Sequence, residues 1–254
     1  MPFMQANVII ISVVRDHQMY DTCVRSNPFA NCHTLCPLDN TRENKTIPVR
    51  YNEFLNGYDF SRPAWFVFCH EDFELKQHFD ELDTLDKNVL YGPVGARSEF
   101  LFGLFAMWRL LGQITESNKD GSNARPVGRL VPTSTPVETF DGQCLIFHSD
   151  LIRETGLRFD EQLSFDLYGE DICICAKERH GIPSHIIALR CQHWSPGNPQ
   201  AARYNQQLAH LNVKHKDCCY TGISSYDIGG KPGIRRYASS RIKKFLRRIL
   251  LRER

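Results

Sequence analysis

No stretch of this sequence comes near the roughly 20 consecutive apolar residues that a membrane-spanning helix needs. The richest, Phe100 to Leu111, breaks at Gly112. The N-terminal run Val8 to Val14 has no basic region before it and stops at Arg15 and Asp16, so it reads as a buried strand and not as a signal peptide. Glycine fingerprints are missing as well. There is no Walker-type loop, no G-x-G-x-x-G turn and no G-x-S-x-G elbow, which excludes P-loop, dinucleotide-binding and serine-hydrolase chemistry. None of the ten cysteines forms a C-x-x-C pair, and Cys32/Cys36, Cys173/Cys175 and Cys218/Cys219 follow no regular framework. A zinc site and a disulfide scaffold are therefore not expected. Cys173 and Cys175 lie in an apolar stretch where free cysteine acts as a small core residue, and the set fits a reducing compartment. No internal repeat is present.

What is there suits one folded domain. At 254 residues, 42% hydrophobic and 24% charged, the chain can bury a full core and is neither disordered nor fibrous. Its net charge of +2 is unevenly placed. Arg235 to Arg254 hold nine Lys or Arg and one Glu, a charge of +8, which leaves 22 basic and 28 acidic residues, or −6, in the rest.

Along the chain, Val8 to Val14 is a β-branched run of the kind buried on both faces of a sheet, and Met19 to Arg25 has helical character. Thr34 to Leu38 is a second strand ending at Asp39 and Asn40. Val49 to Asn56 is a helix closed by Gly57, and Ala64 to Cys69 another buried strand. Val89 to Ala96 reads as a strand running through Gly92-Pro93-Val94-Gly95. Thr139 to Phe147 brackets Asp141-Gly142, and Ile186 to Leu189 is strand-like. Gln113 to Pro136, rich in Gly, Asn, Ser and Pro, is a mobile loop or a peripheral hairpin. Strand and helix are expected to alternate throughout.

Three clusters carry chemistry. His70-Glu71-Asp72 directly follows a buried strand, where a carboxylate can hold a divalent ion against a diphosphate; the plain alternative is a solvated acidic turn. Glu170 and Asp171 follow Gly169 at a helix start, favoured there by the dipole; ordinary capping and a base for a sugar hydroxyl use the same arrangement. His193 follows a strand and is either a structural histidine or a late metal ligand, with Trp194 beside it for packing or for stacking on a sugar.

In order, Ile11-Ser12-Val13-Val14 with Leu38-Asp39-Asn40, Phe66 to Asp72, Gly92 to Ala96, Glu138 to Gly142, and Arg158-Phe159-Asp160-Glu161 leading to Gly169-Glu170-Asp171 resemble the GT-A-fold nucleotide-sugar glycosyltransferases. Within them the likeness is to a bacterial group named after a streptomycin-biosynthesis protein, over roughly Val8 to Ser195. The resemblance implies an α/β fold with a Rossmann-like mixed central sheet flanked by helices, spanning 1–215, with a C-terminal extension over 216–254. It implies an inverting transferase that moves a sugar from a nucleoside-diphosphate donor to a glycan or lipid-linked hydroxyl, as in polysaccharide biosynthesis. Ser12, Val13, Asp39, Asn40, Glu71, Asp141 and Gly142 would hold the donor. Asp171 would be the base and Glu170 would bind acceptor hydroxyls. The family's metal motif reads Asp-x-Asp; here His70 stands at its first position, so Asp72 is the expected direct ligand of Mn2+ or Mg2+, with His70 and His193 beside it.

Two rivals stay open at this level. A sugar nucleotidyltransferase normally carries a glycine-rich basic loop after its first strand, and Arg15-Asp16-His17-Gln18 has no glycine. A non-catalytic sugar or nucleic-acid binder would use the basic tail, but the acidic body argues against nucleic acid as a partner. In Arg235 to Arg254, Tyr237, Ile242, Phe245, Leu246, Ile249 and Leu250 recur at helical spacing among the basic residues. That pattern predicts an amphipathic helix on an anionic membrane surface, hence a cytoplasmic protein held peripherally at the inner face.

Overall fold

The computed structural model describes residues 7–101, 105–195 and 201–230, together with residue 242. Its strands are β1 Val8–Val14, β2 Thr34–Asp39, β3 Trp65–Cys69, β4 Phe73–Leu75, β5 Leu90–Gly92, β6 Val94–Leu101, β7 Phe105–Glu116, β8 Arg125–Arg129, β9 Thr135–Val137, β10 Thr139–Phe140, β11 Cys144–His148, β12 Ser184–Ile186, β13 Cys191–His193, β14 Tyr220–Thr221 and β15 Asp227–Ile228. The helices are α1 His17–Tyr20, α2 Ile47–Gly57, α3 Ser149–Thr155, α4 Tyr168–His180 and α5 Ala201–Lys214. A π-helical turn, Asp21–Arg25, extends α1.

The main sheet runs β2-β1-β3-β11-β5-β12-β9. β1 is parallel to β2 and β3, β11 is antiparallel to both β3 and β5, and β12 is parallel to β5. This is the mixed α/β architecture expected from the sequence. A second sheet, β10-β6-β7-β13-β4 with β8 paired to β7, sits beside it.

β1 and β3 are buried along their whole length because the sheet is covered on both sides. Ile9, Ile11, Val13, Phe66 and Phe68 join one apolar cluster with Tyr51 and Leu55 of α2, while Val8, Ile10, Val14, Trp65 and Val67 join the other. All ten cysteines are free thiols, and Cys173 and Cys175 are buried core residues.

Two expectations are corrected. The run from Val89 to Ala96 is not one strand: Pro93 lacks an N–H for the ladder, and the chain leaves the main sheet there to begin β6 in the second. Nor do strand and helix alternate throughout, since β5 to β11 follow one another without an α-helix. The polar stretch from Gln113 takes the hairpin form, β7 against β8 from Leu111↔Arg129 to Glu116↔Arg125.

The first part of the expected C-terminal extension lies against the body. Thr139 Oγ1 donates to the Thr221 carbonyl at 2.6 Å, Thr221 N–H to Glu138 at 2.6 Å, and the Trp108 indole to the Gly222 carbonyl at 3.1 Å. Apart from Ile242, the basic amphipathic helix expected over Arg235 to Arg254 lies outside the described residues. Among those described, no helix is long and apolar enough to cross a membrane.

Candidate active site

Strand register gathers the central cluster. β3 ends at Cys69 and the chain turns through His70-Glu71-Asp72 into β4, which pairs with β13 so that Phe73 faces His193. Trp194 N–H closes the turn on the Asp72 carbonyl at 2.9 Å. His193 Nε2 then lies 3.2 Å from Asp72 Oδ1 and 3.4 Å from His70 Nδ1. The ligand atoms of these three residues all fall within 4.8 Å of one another, a spacing that can hold one metal ion.

A hydrogen-bond chain behind the cluster sets the His70 tautomer. The Tyr168 hydroxyl donates its single proton to the Gly142 carbonyl at 2.6 Å, so it accepts from His70 Nε2 at 2.7 Å. Nδ1 of His70 is left with its lone pair, aimed at Asp72 and His193. Burial pushes the His70 pKa down to about 4 despite the nearby Asp72, which keeps the ring neutral. Burial pushes Asp72 up, but the hydrogen bond and charge of His193 prevail and hold it at about 2. Burial also lowers His193, and the bond to Asp72 more than reverses this.

The Tyr168 contact demands close approach. A Cβ on Gly142 would stand 2.5 Å from Tyr168 Cζ, and one on Gly169 would stand 2.6 Å from the Gly142 nitrogen.

Two clefts meet at His70. One, of about 350 Å³, is lined by Val13, Arg15, Asn44 to Ile47, Tyr51, His70 to Asp72, Ser164, Phe165 and Arg203. Its charged wall holds three cations and two carboxylates, leaving His70 neutral. The other, of about 440 Å³, includes Glu116, Arg125, Asp141, Gly142, Glu170, His193, Tyr204 and Ser224, with four carboxylates against one Arg or Lys.

Val13, His70, Glu71 and Asp72 thus line the first cleft, and His70, Asp141, Gly142, Glu170 and His193 the second. Glu71 is already engaged: its carboxylate accepts the backbone N–H groups of Arg15 and Asp16 at 2.5 and 2.8 Å, anchoring the loop after β1. Ser12 and Asn40 are placed differently from the donor contacts expected of them. Ser12 is fully buried beside Cys69 Sγ, at 3.3 Å. Asn40 is buried and bonds both ways with the Lys45 backbone, fixing the loop that carries Lys45 and Thr46 into the first cleft. Asp39 turns outward and accepts from Thr41.

Asp171, expected as the base, is also placed away from the cleft. Neighbouring side chains on a helix point about 100° apart, so only one of Glu170 and Asp171 can face the cleft, and it is Glu170. Asp171 is fully buried on the other side of α4, where it accepts from Lys214 Nζ at 2.8 Å and faces His215 Nε2 at 2.8 Å. Lys214 also bonds Asp160 at 2.7 Å, so the pair ties α4 to α5. Burial, reinforced by Asp141, raises the Glu170 pKa to about 8.

Sequence reasoning missed Arg15, Lys45, Glu116 and Arg203 as lining residues. Arg203 and Lys45 come from segments with no motif. Arg203 bonds Asp166 at 2.6 Å and caps the Phe165 ring at 5.1 Å.

No protein-family model and no curated protein matches this chain. Among solved structures, GalNAc-T7 with UDP, GalNAc and Mn2+ overlaps 76% of this chain and 45% of its own at 9% identity and a TM-score of 0.47. S. aureus TarS 1-349 overlaps 84% and 66% at 11% identity and 0.49, and the longer S. aureus TarS chain 84% and 40% at 12% and 0.43. This chain thus spans less than two thirds of each of those chains, and at such values the overlap decides neither activity nor substrate.

Two outcomes follow for the site's framework. Tyr168→Phe frees the His70 ring while keeping the packing, so Mn2+ affinity measured by calorimetry should fall about 10- to 100-fold; unchanged affinity would show that the hydroxyl orients nothing. Asp171→Asn should lower unfolding free energy by about 1–3 kcal/mol in a denaturant titration, because half-buried Lys214 keeps only Asp160 as a counter-charge and the buried hydrogen bonds to the carboxylate weaken. The rate per folded molecule should change less than about tenfold. Intact stability with a rate lost by orders of magnitude would return the base role to Asp171.

Proposed function

We propose that this chain is an inverting, metal-dependent glycosyltransferase that moves a sugar from a nucleoside-diphosphate donor to a hydroxyl of a glycan or lipid-linked acceptor. The observation that carries the reading is the meeting of the two clefts at the His70–Asp72–His193 cluster, with the Glu170 carboxylate on the far side. In it the smaller cleft receives the donor and the larger one the acceptor.

His70 Nδ1, Asp72 Oδ1 and His193 Nε2 would hold the ion. Two imidazoles with one carboxylate suit Mn2+ better than Mg2+, which prefers oxygen ligands and near-ideal octahedral geometry. Bound there, the ion would neutralise charge on the departing diphosphate. Arg15, Lys45 and Arg203 line the same cleft; Lys45 is paired with Glu43 and Glu53 and Arg203 with Asp166, so Arg15 is the guanidinium best placed to meet those phosphates.

On the acceptor side Glu170 takes the hydroxyl proton as the acceptor oxygen forms its bond to the anomeric carbon and the bond from that carbon to the phosphate oxygen breaks. Attack from the face opposite the leaving group inverts the configuration. A carboxylate whose proton affinity is raised toward neutral is a stronger base than an ordinary one. The work asked of Asp171 by the sequence motif thus passes to its neighbour.

Glu170→Gln should retain UDP-sugar and Mn2+ binding and lose transfer by at least about a thousandfold, because an amide accepts no proton. Since only the deprotonated base works, wild-type kcat should rise with pH toward a plateau above about 8. Near-normal turnover in the variant, or a flat profile between pH 6 and about 9, would remove Glu170 from the base role.

A further inference from the structure

The larger cleft carries a charge imbalance that sugar transfer does not require. Glu116, Asp141, Asp166 and Glu170 line it against one Arg or Lys, Arg125. Arg203 answers Asp166 from the neighbouring cleft, and Arg125, whose side chain is 69% exposed, reaches Glu116 only at 3.6 Å. Asp141 is met by the backbone and side-chain N–H groups of Gln143, at 3.3 and 3.2 Å. The Ile223 backbone N–H lies beside Glu170 and favours its charged form. Among the described residues no lysine or arginine pairs with either. Asp141 stands at the centre of the group, for its charge adds to burial in raising the proton affinity of both Glu116 and Glu170.

Neither Asp141 nor Glu170 belongs to the set that can hold the metal, so an ion there leaves them facing the cleft. Two nearly buried polar atoms of the same wall also lack partners. The hydroxyl of Tyr204, a residue 8% exposed, has Ser224 beside it but outside hydrogen-bonding geometry, and Nδ1 of His193, a residue 7% exposed, is unpaired. Phe165, 48% exposed, forms the ridge shared by the two clefts and offers its ring to a sugar's apolar face.

A partly buried carboxylate that no lysine or arginine meets, as at Asp141, is left uncompensated until a ligand brings positive charge, whereas Glu170, with its pKa at about 8, meets such a ligand as a neutral acid at the pH of an ammonium. An ammonium group brings that charge and supplies three donors. We propose that the larger cleft binds an amine-bearing saccharide, with its ammonium on Asp141, Glu116 behind it, and a hydroxyl of the same sugar facing Glu170. The cleft correspondingly rejects uronates and other anionic sugars. The inference rests on the transferase reading only in calling this ligand the acceptor.

The test is calorimetric titration of the full chain, with Mn2+ and UDP present, at a pH where amines are protonated. The ligands are a glucosamine tetramer, its fully N-acetylated counterpart and a galacturonate tetramer. The glucosamine tetramer should bind at least about tenfold more tightly than the acetylated one, as one charge-assisted hydrogen bond would provide, and galacturonate should give no heat. Asp141→Asn should bring the two neutral-to-basic ligands to within about threefold, with a far-UV circular dichroism spectrum and a cooperative thermal unfolding like those of the wild type showing that the variant is folded. Equal or weaker binding of the amine, binding of galacturonate, absence of binding by all three, or an unchanged preference in Asp141→Asn would overturn the proposal. Failure of UDP and Mn2+ to bind the wild type would instead overturn the transferase reading, while the same titrations without nucleotide still decide the amine preference.

Discussion

The hydroxyl of Tyr168 has one proton, and its donation to the Gly142 carbonyl obliges His70 to donate from Nε2. The rest of the site depends on that constraint. It points the free Nδ1 lone pair of His70 at Asp72 and His193, and it requires glycine at 142 and 169, where any side chain would push the start of α4 away from the loop after β10. Because Tyr168 opens α4, the same contact fixes the direction in which Glu170 and Asp171 diverge. The His70–Asp72–His193 cluster and the Glu170 carboxylate thus share one hydrogen-bonded anchor.

Around that anchor the molecule separates charge. The cleft beside β1 carries Arg15, Lys45 and Arg203, suited to phosphates, whereas the cleft beside β13 and the loop between β14 and β15 is lined by carboxylates. Phe165 and His70 stand at the boundary, their rings 5.4 Å apart. Such a division of charge would steer a polyanion to one side and a neutral or basic ligand to the other. α5 stabilises this division by holding Asp166 through Arg203 and Ser164 through Gln207, whose side-chain oxygen accepts the Ser164 N–H at 3.0 Å.

The buried strands were legible because both faces of β1 and β3 are covered, which makes their apolar runs continuous. His70 and Asp72 were legible as a cluster for a related reason, because they follow β3 directly, whereas His193 ends the short strand β13 and joins them only through its pairing with β4. What sequence could not supply was direction. Ser12 alternates into the sheet's interior, Asn40 spends its amide on its own loop, and Asp171 turns toward Lys214, none of which the order of motifs encodes. Pro93 was visible as a breaker, yet the change of sheet at that point depends on pairing with β7, more than ten residues away. The contribution of the segment after Lys214 to the acidic cleft was hidden likewise, since Ile223 and Ser224 reach it only through the long-range bonds of Thr221 and Gly222.

The central claim is that one divalent ion joins the two clefts, and a crystal structure with Mn2+ and UDP, with manganese located by its anomalous signal, tests it most directly. One strong peak is expected, bonded to His70 Nδ1, Asp72 Oδ1 and His193 Nε2 at about 2.0–2.2 Å, with the diphosphate on the side of Arg15 and Lys45. A diphosphate bound with no manganese at these three atoms, or manganese bound instead among Asp141, Glu116 and Glu170, would contradict it.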